Sequence, residues 1–295
     1  MERLYKPKRL TEILNKYGFR FTKSIGQNFL IDGNIVKKIV DAAEVCENDN
    51  VLEIGPGIGT LTEELAIRAK KVVTIEIDNS LVEIHKETLN YDNVKIYYDD
   101  ILKIDLKKVL YEEFGGESFK VVANLPYYII TPIISRLIEE NLNLKSITVM
   151  IQKEVAKRFS AKPATKDYGS LSVFIQFFTN VRYEFTVPST VFMPKPKVDS
   201  AVVSLIVKDK LPTIDRQKFF KIVKAAFSKR RKTILNALST YGFNLSKEDI
   251  RESLSLSGIS ETRRAETLSE EEFIVLAINF KEIWGVLWMI YCQKN

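Results

Sequence analysis

Strand-like and helix-like patterns alternate from Val51 onward, and this alternation predicts an α/β fold built on a parallel sheet. Short apolar, β-branched runs recur at 51–54, 72–77, 94–98, 119–123 and 146–151. Helix-period segments separate them, as with Leu61, Leu65 and Ile67 after the first run. Glycines Gly55, Gly57 and Gly59 follow that first run directly, where a Rossmann-like sheet makes a tight strand-to-helix turn. The pattern stops at a polar, proline-marked stretch, Lys208-Asp209-Lys210-Leu211-Pro212. Beyond it the spacing is helical: Phe219, Phe220, Val223 and Ala226, then Ile234, Leu235 and Leu238. The expected organisation is a Rossmann-like domain over 1–208 and a smaller all-helical domain over 209–295.

The remaining elements follow in order. Residues 1–25 are basic (Lys6, Lys8, Arg9, Lys16, Arg20, Lys23) around a short helical pattern of Leu10, Ile13 and Leu14. This opening lacks the apolar stretch of a signal peptide. A helix is expected over 34–43, from Ile35, Val36, Ile39 and Val40. Before it, Gln27-Asn28 reads as a helix-capping turn. Two later β-like stretches, Val173 to Phe178 and Ser200 to Val207, are expected to form an antiparallel pair closing the sheet. At the end, Phe273 to Cys292 is mostly apolar. Its uninterrupted part, Ile283 to Cys292, is about half the ~20 residues a membrane span needs. It is read as a packed terminal helix, the other reading being an interface or a sticky tail.

Composition narrows the functional classes. Hydrophobic residues make up 45% of 295, too many for a disordered chain. The net charge of +6 fits a polyanionic partner. Two distant cysteines, Cys46 and Cys292, form no disulfide framework, so a reducing cytoplasm is expected. No spacing calls for a metal. The single histidine, His85, reads as an exposed helix residue, which excludes histidine general-base chemistry.

The glycine turn narrows the ligand. Its spacing is G-x-G-x-G, and Thr60 stands where the nicotinamide fingerprint needs a third glycine. Glu53 precedes the first glycine, where a pyrophosphate has no use for a carboxylate but a cationic amino-acid ligand does. The next strand, Val72 to Asp78, ends in an acid placed to accept from ribose hydroxyls. The third ends in Asp99-Asp100, where an acid can read an adenine amino group. Three strands ending in carboxylates, with no phosphate site, describe S-adenosylmethionine better than NAD. After the fourth strand comes Asn124-Leu125-Pro126-Tyr127. The Asn124 side chain and the carbonyl of Leu125 or Pro126 can accept from the amino group of a flat base, Pro126 stiffens the presentation, and Tyr127 can stack.

These motifs together resemble the rRNA adenine N6,N6-dimethyltransferases. The matching residues run from Gly26-Gln27-Asn28-Phe29-Leu30 through Glu53 to Gly59, Asn124 to Tyr127 and Ile151 to Ala156. They continue through Lys166 to Ser172, Phe192 to Ala201 and Ala226 to Thr233, and thin after about Leu276. The resemblance implies a Rossmann-like class I S-adenosylmethionine-dependent methyltransferase that dimethylates two adjacent adenines near the 3′ end of small-subunit rRNA. It implies cofactor contacts at Asn28, Leu30, Gly55, Glu76, Asp100 and Asn124, beside Glu53 and Gly57 of the turn. The family pattern has a glycine where Asp99 stands, which makes Asp100 the ligand. It also implies that Phe192 lines the target-base pocket; the other reading of Phe192 is core.

Such an enzyme needs alignment more than base strength, because adenine N6 is a poor nucleophile while a sulfonium is an excellent leaving group. The target base must be unpaired or flipped. Lys229-Arg230-Arg231-Lys232, at an expected helix start, is the RNA-binding candidate, with the basic N-terminus as a second cluster; the alternative is a solvated face. The expected partner is small-subunit rRNA in an immature ribosomal particle, met by a monomer with no membrane and no metal. Rival readings are a large-subunit rRNA adenine methyltransferase of the macrolide-resistance type and a non-catalytic ribosome-assembly factor. Tyr168 to Ser172 and Ala226 to Thr233 favour the small-subunit group, and intact Glu53, Glu76, Asp100 and Asn124 argue against a vestigial site.

Overall fold

The computed structural model describes residues 2–21, 27–126 and 129–281. The chain divides into two compact units, Met1–Lys157 with Thr179–Lys208, and Arg158–Phe178 with Asp209–Asn295. The expected continuous domain over 1–208 is therefore interrupted, since residues 158–178 belong with the C-terminal helices.

The first unit holds a seven-stranded sheet. Its strands are β2 (Asn50–Ile54), β3 (Lys71–Glu76), β4 (Val94–Tyr98), β5 (Phe119–Asn124), β6 (Leu144–Gln152), β7 (Thr179–Val187) and β9 (Ser200–Val207), in the order β4-β3-β2-β5-β6-β9-β7. The first five are parallel, while β9 runs antiparallel between β6 and β7. All five residues of β2 are buried, as expected of a strand covered on both faces. Helices α2 (Gly33–Ala42) and α3 (Thr60–Arg68) bury Val36, Ile39, Leu61 and Leu65 against Val51, Val72 and Val122 of the sheet. Helix α1 (Pro7–Lys16) buries Leu10, Ile13 and Leu14 in a cluster with Ile58, Leu81 and Ile84.

Asp32, rather than the Gln27-Asn28 pair, caps α2: its Oδ1 accepts from the Asn34 and Ile35 amides at 2.8 and 3.3 Å. Just before it, β1 (Phe29–Leu30) pairs antiparallel with β8 (Phe192–Met193), setting Leu30 opposite Phe192. Two segments far apart in sequence are thereby joined.

The stretch 173–178 is not a strand. It lies in α8 (Ser170–Phe178), and the antiparallel partner of β9 is β7. Burial decides the matter. Phe174, Phe177 and Phe178 pack on Phe219 and Phe220 of α9 (Arg216–Ala226), with ring centroids 4.7–5.6 Å apart. The second unit continues through α10 (Ile234–Ser239), α11 (Lys247–Leu256) and α12 (Glu270–Asn279). Ser246 and Ser269 start α11 and α12 with reciprocal capping boxes. The apolar stretch Ile283 to Cys292 lies outside the described residues. Among the described residues no helix is long and apolar enough to cross a membrane, and no cluster of side chains is arranged to hold a metal ion.

Candidate active site

Strand order reverses at β2, whose chain continues through β3 and β4 on one side while β5 and β6 lie on the other. Open α/β sheets bind ligands at such a switch point, outside the carboxyl ends of the strands. An open cleft of about 1090 Å³ occupies that position in the first unit. Its walls take in Gln27 to Leu30, the turn after β2, Glu76, Asp99 and Asp100, Asn124 to Pro126, and Phe192. The expected cofactor and target-base residues within the described chain therefore converge on one cavity. Tyr127 lies outside the described residues.

Glu53 is 1% exposed, and its Oε2 has no hydrogen-bond partner. Burial pushes its carboxyl up to about 8, with the nearby Glu76 charge adding to the effect. The Thr62 hydroxyl pulls the other way, although its oxygen makes no hydrogen bond of normal geometry. An orphaned carboxyl beside a cleft is poised to meet a cation. Gly55 turns the chain at φ +68°, and the space its missing Cβ would fill is open. Gly57 needs its hydrogen for a different reason: a Cβ there would lie 2.9 Å from the Phe29 ring.

Glu76 closes β3 and clamps the turn. Its Oε2 accepts from the Gly57 amide at 3.1 Å and its Oε1 from the Asp78 amide at 2.8 Å. Each carboxylate oxygen retains a lone pair for a further donor, such as a ribose hydroxyl. Burial raises the Glu76 pKa. Asp78, the acid at the expected strand end, does not reach the cleft. It caps the turn at Ser80, 2.9 Å from the amide, and accepts from Gln27 Nε2 at 2.6 Å. Asp99 and Asp100 both line the cavity. Asp99 is exposed, whereas Asp100 is half-buried and accepts from the Leu102 amide at 2.9 Å. Ile77 was not singled out from the sequence; it is 51% exposed in the cleft wall, an apolar plate that a flat ring would cover.

Ile54 and Ala123 are register partners, so Gly55 and Asn124 follow side by side at the carboxyl ends of β2 and β5. Asn124 Nδ2 donates to the Asn28 carbonyl at 3.2 Å. The Leu125 amide donates to Met150 of β6 at 3.2 Å, and the Pro126 carbonyl already accepts from the Ile129 amide at 3.2 Å. Phe192 combines both sequence readings: it is 4% exposed within the apolar cluster and also lines the cavity.

His85 is corrected. It is 2% exposed, not a surface residue, because its ring is bonded at both nitrogens: Nδ1 to the Tyr98 hydroxyl at 2.9 Å and Nε2 to the Gly57 carbonyl. It does not line the cleft. Two of the N-terminal basic residues are also less available than composition implies, since Arg9 and Lys16 both pair with Glu87 at 3.2 and 2.6 Å. Lys229 to Lys232 are all exposed in a turn of the second unit, ahead of α10, which Thr233 caps. Among them Arg230 donates to the Lys166 carbonyl at 3.3 Å and stands 3.9 Å from Glu266.

Residues 18–282 match the family model described as ribosomal RNA adenine dimethylase. The chain belongs to this family. It is 52% identical over 282 residues to ribosomal RNA small subunit methyltransferase A of Alkaliphilus oremlandii, a match covering 95% of this chain and 98% of that protein. The protein of the same name from Bacillus licheniformis is 52% identical over 287 residues, covering 94% of this chain and 97% of its own. Among solved structures, a dimethyladenosine transferase from Plasmodium falciparum superposes with a TM-score of 0.71 at 29% identity, over 85% of this chain and 97% of that one. The 23S rRNA methyltransferase ErmE gives a TM-score of 0.65 at 25% identity, over 85% and 99%. The rRNA adenine dimethylase family thus brings with it the Rossmann-like class I methyltransferase fold that the sequence predicts.

Proposed function

We propose that this protein is an S-adenosylmethionine-dependent enzyme that dimethylates N6 of two adjacent adenines in a hairpin near the 3′ end of small-subunit rRNA. The observation that carries the reading is the orientation of Asn124. One N–H of its amide donates to the Asn28 carbonyl, which turns Oδ1 away from Asn28 as an acceptor on a side chain that lines the cleft. The named small-subunit relatives are half identical to this chain, against 25% for ErmE, which favours small-subunit over large-subunit rRNA.

The residues of the cleft suit the cofactor. Glu53 supplies a partnerless buried carboxyl for its cationic end, Gly55 supplies open space for close approach, and Glu76 supplies acceptors for two ribose hydroxyls. Asp100 and Ile77 suit the adenine, and Asn28 and Leu30 also line the cleft. Bound there, S-adenosylmethionine offers a methyl group on a sulfonium. Asn124 Oδ1 and a main-chain carbonyl each accept from the target amino group, drawing it from planarity and freeing its lone pair. Ile129 already occupies the Pro126 carbonyl, so Leu125 is the better acceptor. Phe192 and Tyr127 contribute aromatic faces for a flipped base. Alignment of this kind can account for about 7–11 kcal/mol of a barrier. The surplus proton leaves to water, so no protein base is needed. Only one amino hydrogen must be held at the second transfer, which leaves room for the first methyl.

Lys229 to Lys232 contact rRNA phosphates, and the substrate is an immature small-subunit particle met by a monomer in the cytoplasm, where the modification serves ribosome assembly. The reading is tested by tritiated methyl transfer to naked rRNA, immature small subunits, large subunits and DNA in parallel. Label is expected in small-subunit RNA, with most from immature particles. Label confined to large subunits or DNA would overturn the substrate assignment.

A further inference from the structure

The sole histidine of the chain lies directly behind the glycine turn, outside the cleft. It is on α4 (Val82–Thr88), buried, with a hydrogen-bond partner at each ring nitrogen. Since a carbonyl only accepts, the bond to Gly57 requires a proton on Nε2. Burial lowers the pKa of the ring and keeps it neutral, so Nδ1 accepts from the Tyr98 hydroxyl. Tyr98 stacks near the imidazole, with centroids 5.8 Å apart and planes inclined by 24°. Tyr98 is also the register partner of Glu76 on the neighbouring strand.

These bonds form a loop around one residue. The amide of Gly57 is held by Glu76 and its carbonyl by His85. Both peptide units flanking Gly57 are thus fixed, one from the cleft side and one from behind. Gly57 is in the left-handed region at φ +57°, where a glycine left unrestrained has the widest choice of conformations.

We propose that His85 is a positioning residue for the cofactor: through the Gly57 carbonyl it holds the turn so that the Gly57 amide and the Glu76 carboxylate keep their geometry toward the ribose. This rests on the reading of the cleft as the cofactor site. Glu76 carries two duties, clamping the turn and binding the ligand, and His85 relieves it of restraining the turn alone. Loss of the imidazole leaves the partly buried Gly57 carbonyl without its partner and the turn free to rotate.

The test compares His85→Leu, which keeps bulk but removes the donor, with His85→Gln, which keeps a donor. S-adenosylhomocysteine affinity is measured by calorimetry, and KM for the cofactor and kcat by methyl transfer. The leucine variant is expected to weaken S-adenosylhomocysteine binding and raise the cofactor KM by about tenfold, the scale of one lost hydrogen bond to a partly buried group. Its kcat at saturating cofactor should change by less than about twofold, and glutamine should recover most of the affinity, since the donor returns. Unchanged affinity in His85→Leu, or equal loss in both variants, overturns the proposal. Wild-type protein that fails to bind S-adenosylhomocysteine would instead overturn the cleft reading. Should the leucine variant not fold, nitrogen-15 NMR of the wild type decides, because one histidine gives one ring spectrum. A neutral Nε2–H tautomer whose signals move on adding S-adenosylhomocysteine supports the role. A protonated ring, an Nδ1–H tautomer or signals unmoved by the ligand contradicts it.

Discussion

The side-chain nitrogen of Asn124 donates to the main-chain carbonyl of Asn28 at 3.2 Å. Only the nitrogen of that amide can donate to a carbonyl, so the bond fixes which way the side chain is turned and leaves Oδ1, the acceptor of the proposed mechanism, pointing away from Asn28. It also ties the segment before β1 to the end of β5, so Asn28 orients Asn124.

Asn124→Ala should therefore abolish most methyl transfer while sparing RNA binding. Misplacing a reacting group by about 1 Å can lower a rate about 100-fold, and at least that loss in single-turnover rate is expected. A gel-shift with small-subunit rRNA should show affinity within about twofold of wild type, since Asn124 holds no phosphate. Near wild-type turnover in this variant would remove Asn124 from the mechanism.

Glu53 links cofactor affinity to pH. Its carboxyl, pushed up to about 8 by burial, is largely protonated at neutral pH, and a cationic ligand favours the ionised form. Binding of S-adenosylhomocysteine should thus strengthen as pH rises from 6 to 7.5 and release close to one proton, approaching tenfold per pH unit below that pKa. The sign for folding is opposite. A carboxyl raised above its ordinary 4.5 stabilises the free protein at low pH, and that contribution is lost as pH rises from 4.5 through about 8. Calorimetry in buffers of different ionisation enthalpy measures the proton release, and Glu53→Gln should flatten the pH profile. A wild-type affinity independent of pH over that range would mean Glu53 does not meet the cation.

The exposed turn Lys229 to Lys232 should be separable from chemistry. Arg230→Glu combined with Arg231→Glu is expected to leave S-adenosylhomocysteine affinity unchanged, because every residue of the cleft belongs to the other unit. Particle binding should weaken, and its salt dependence should flatten by on the order of two units if two or three phosphate contacts are lost. Circular dichroism controls for folding. An unchanged salt slope in a folded variant would make this turn a solvated face and move RNA recognition to the first unit.

Much of the site was legible because its residues sit at strand ends. Apolar runs located β2 to β6, and the polar residues inside or just beyond their ends, Glu53 within β2, Asn124 closing β5 and Asp100 after β4, then stood out against the pattern. Glu76 and Asp78 were harder, being two residues apart in the expected strand 72–78, whereas β3 ends at Glu76 and Asp78 lies in the turn beyond it. Only the turn bonds of Asp78 to Ser80 and Gln27 show that it is engaged elsewhere. The failures were non-local. Residues 173–178 are apolar throughout except Gln176, a run that suits a buried strand or a buried helix equally, and packing on Phe219 and Phe220 decided it. His85 is buried because its partners are Gly57 and Tyr98, on the turn after β2 and on β4, and no local periodicity encodes that pairing. The proposed preference for the Leu125 carbonyl over that of Pro126 rests on the bond from Ile129, which sequence does not display.

The most direct measurement is mass spectrometry of nuclease fragments from small-subunit rRNA, taken from particles lacking the modification and incubated with this protein and S-adenosylmethionine. Two neighbouring N6,N6-dimethyladenosines in a single fragment near the 3′ end are expected, and none when Asn124→Ala replaces the wild type. Dimethyladenosine found only in large-subunit RNA, or no methylated adenine in any fragment, would contradict the proposed function.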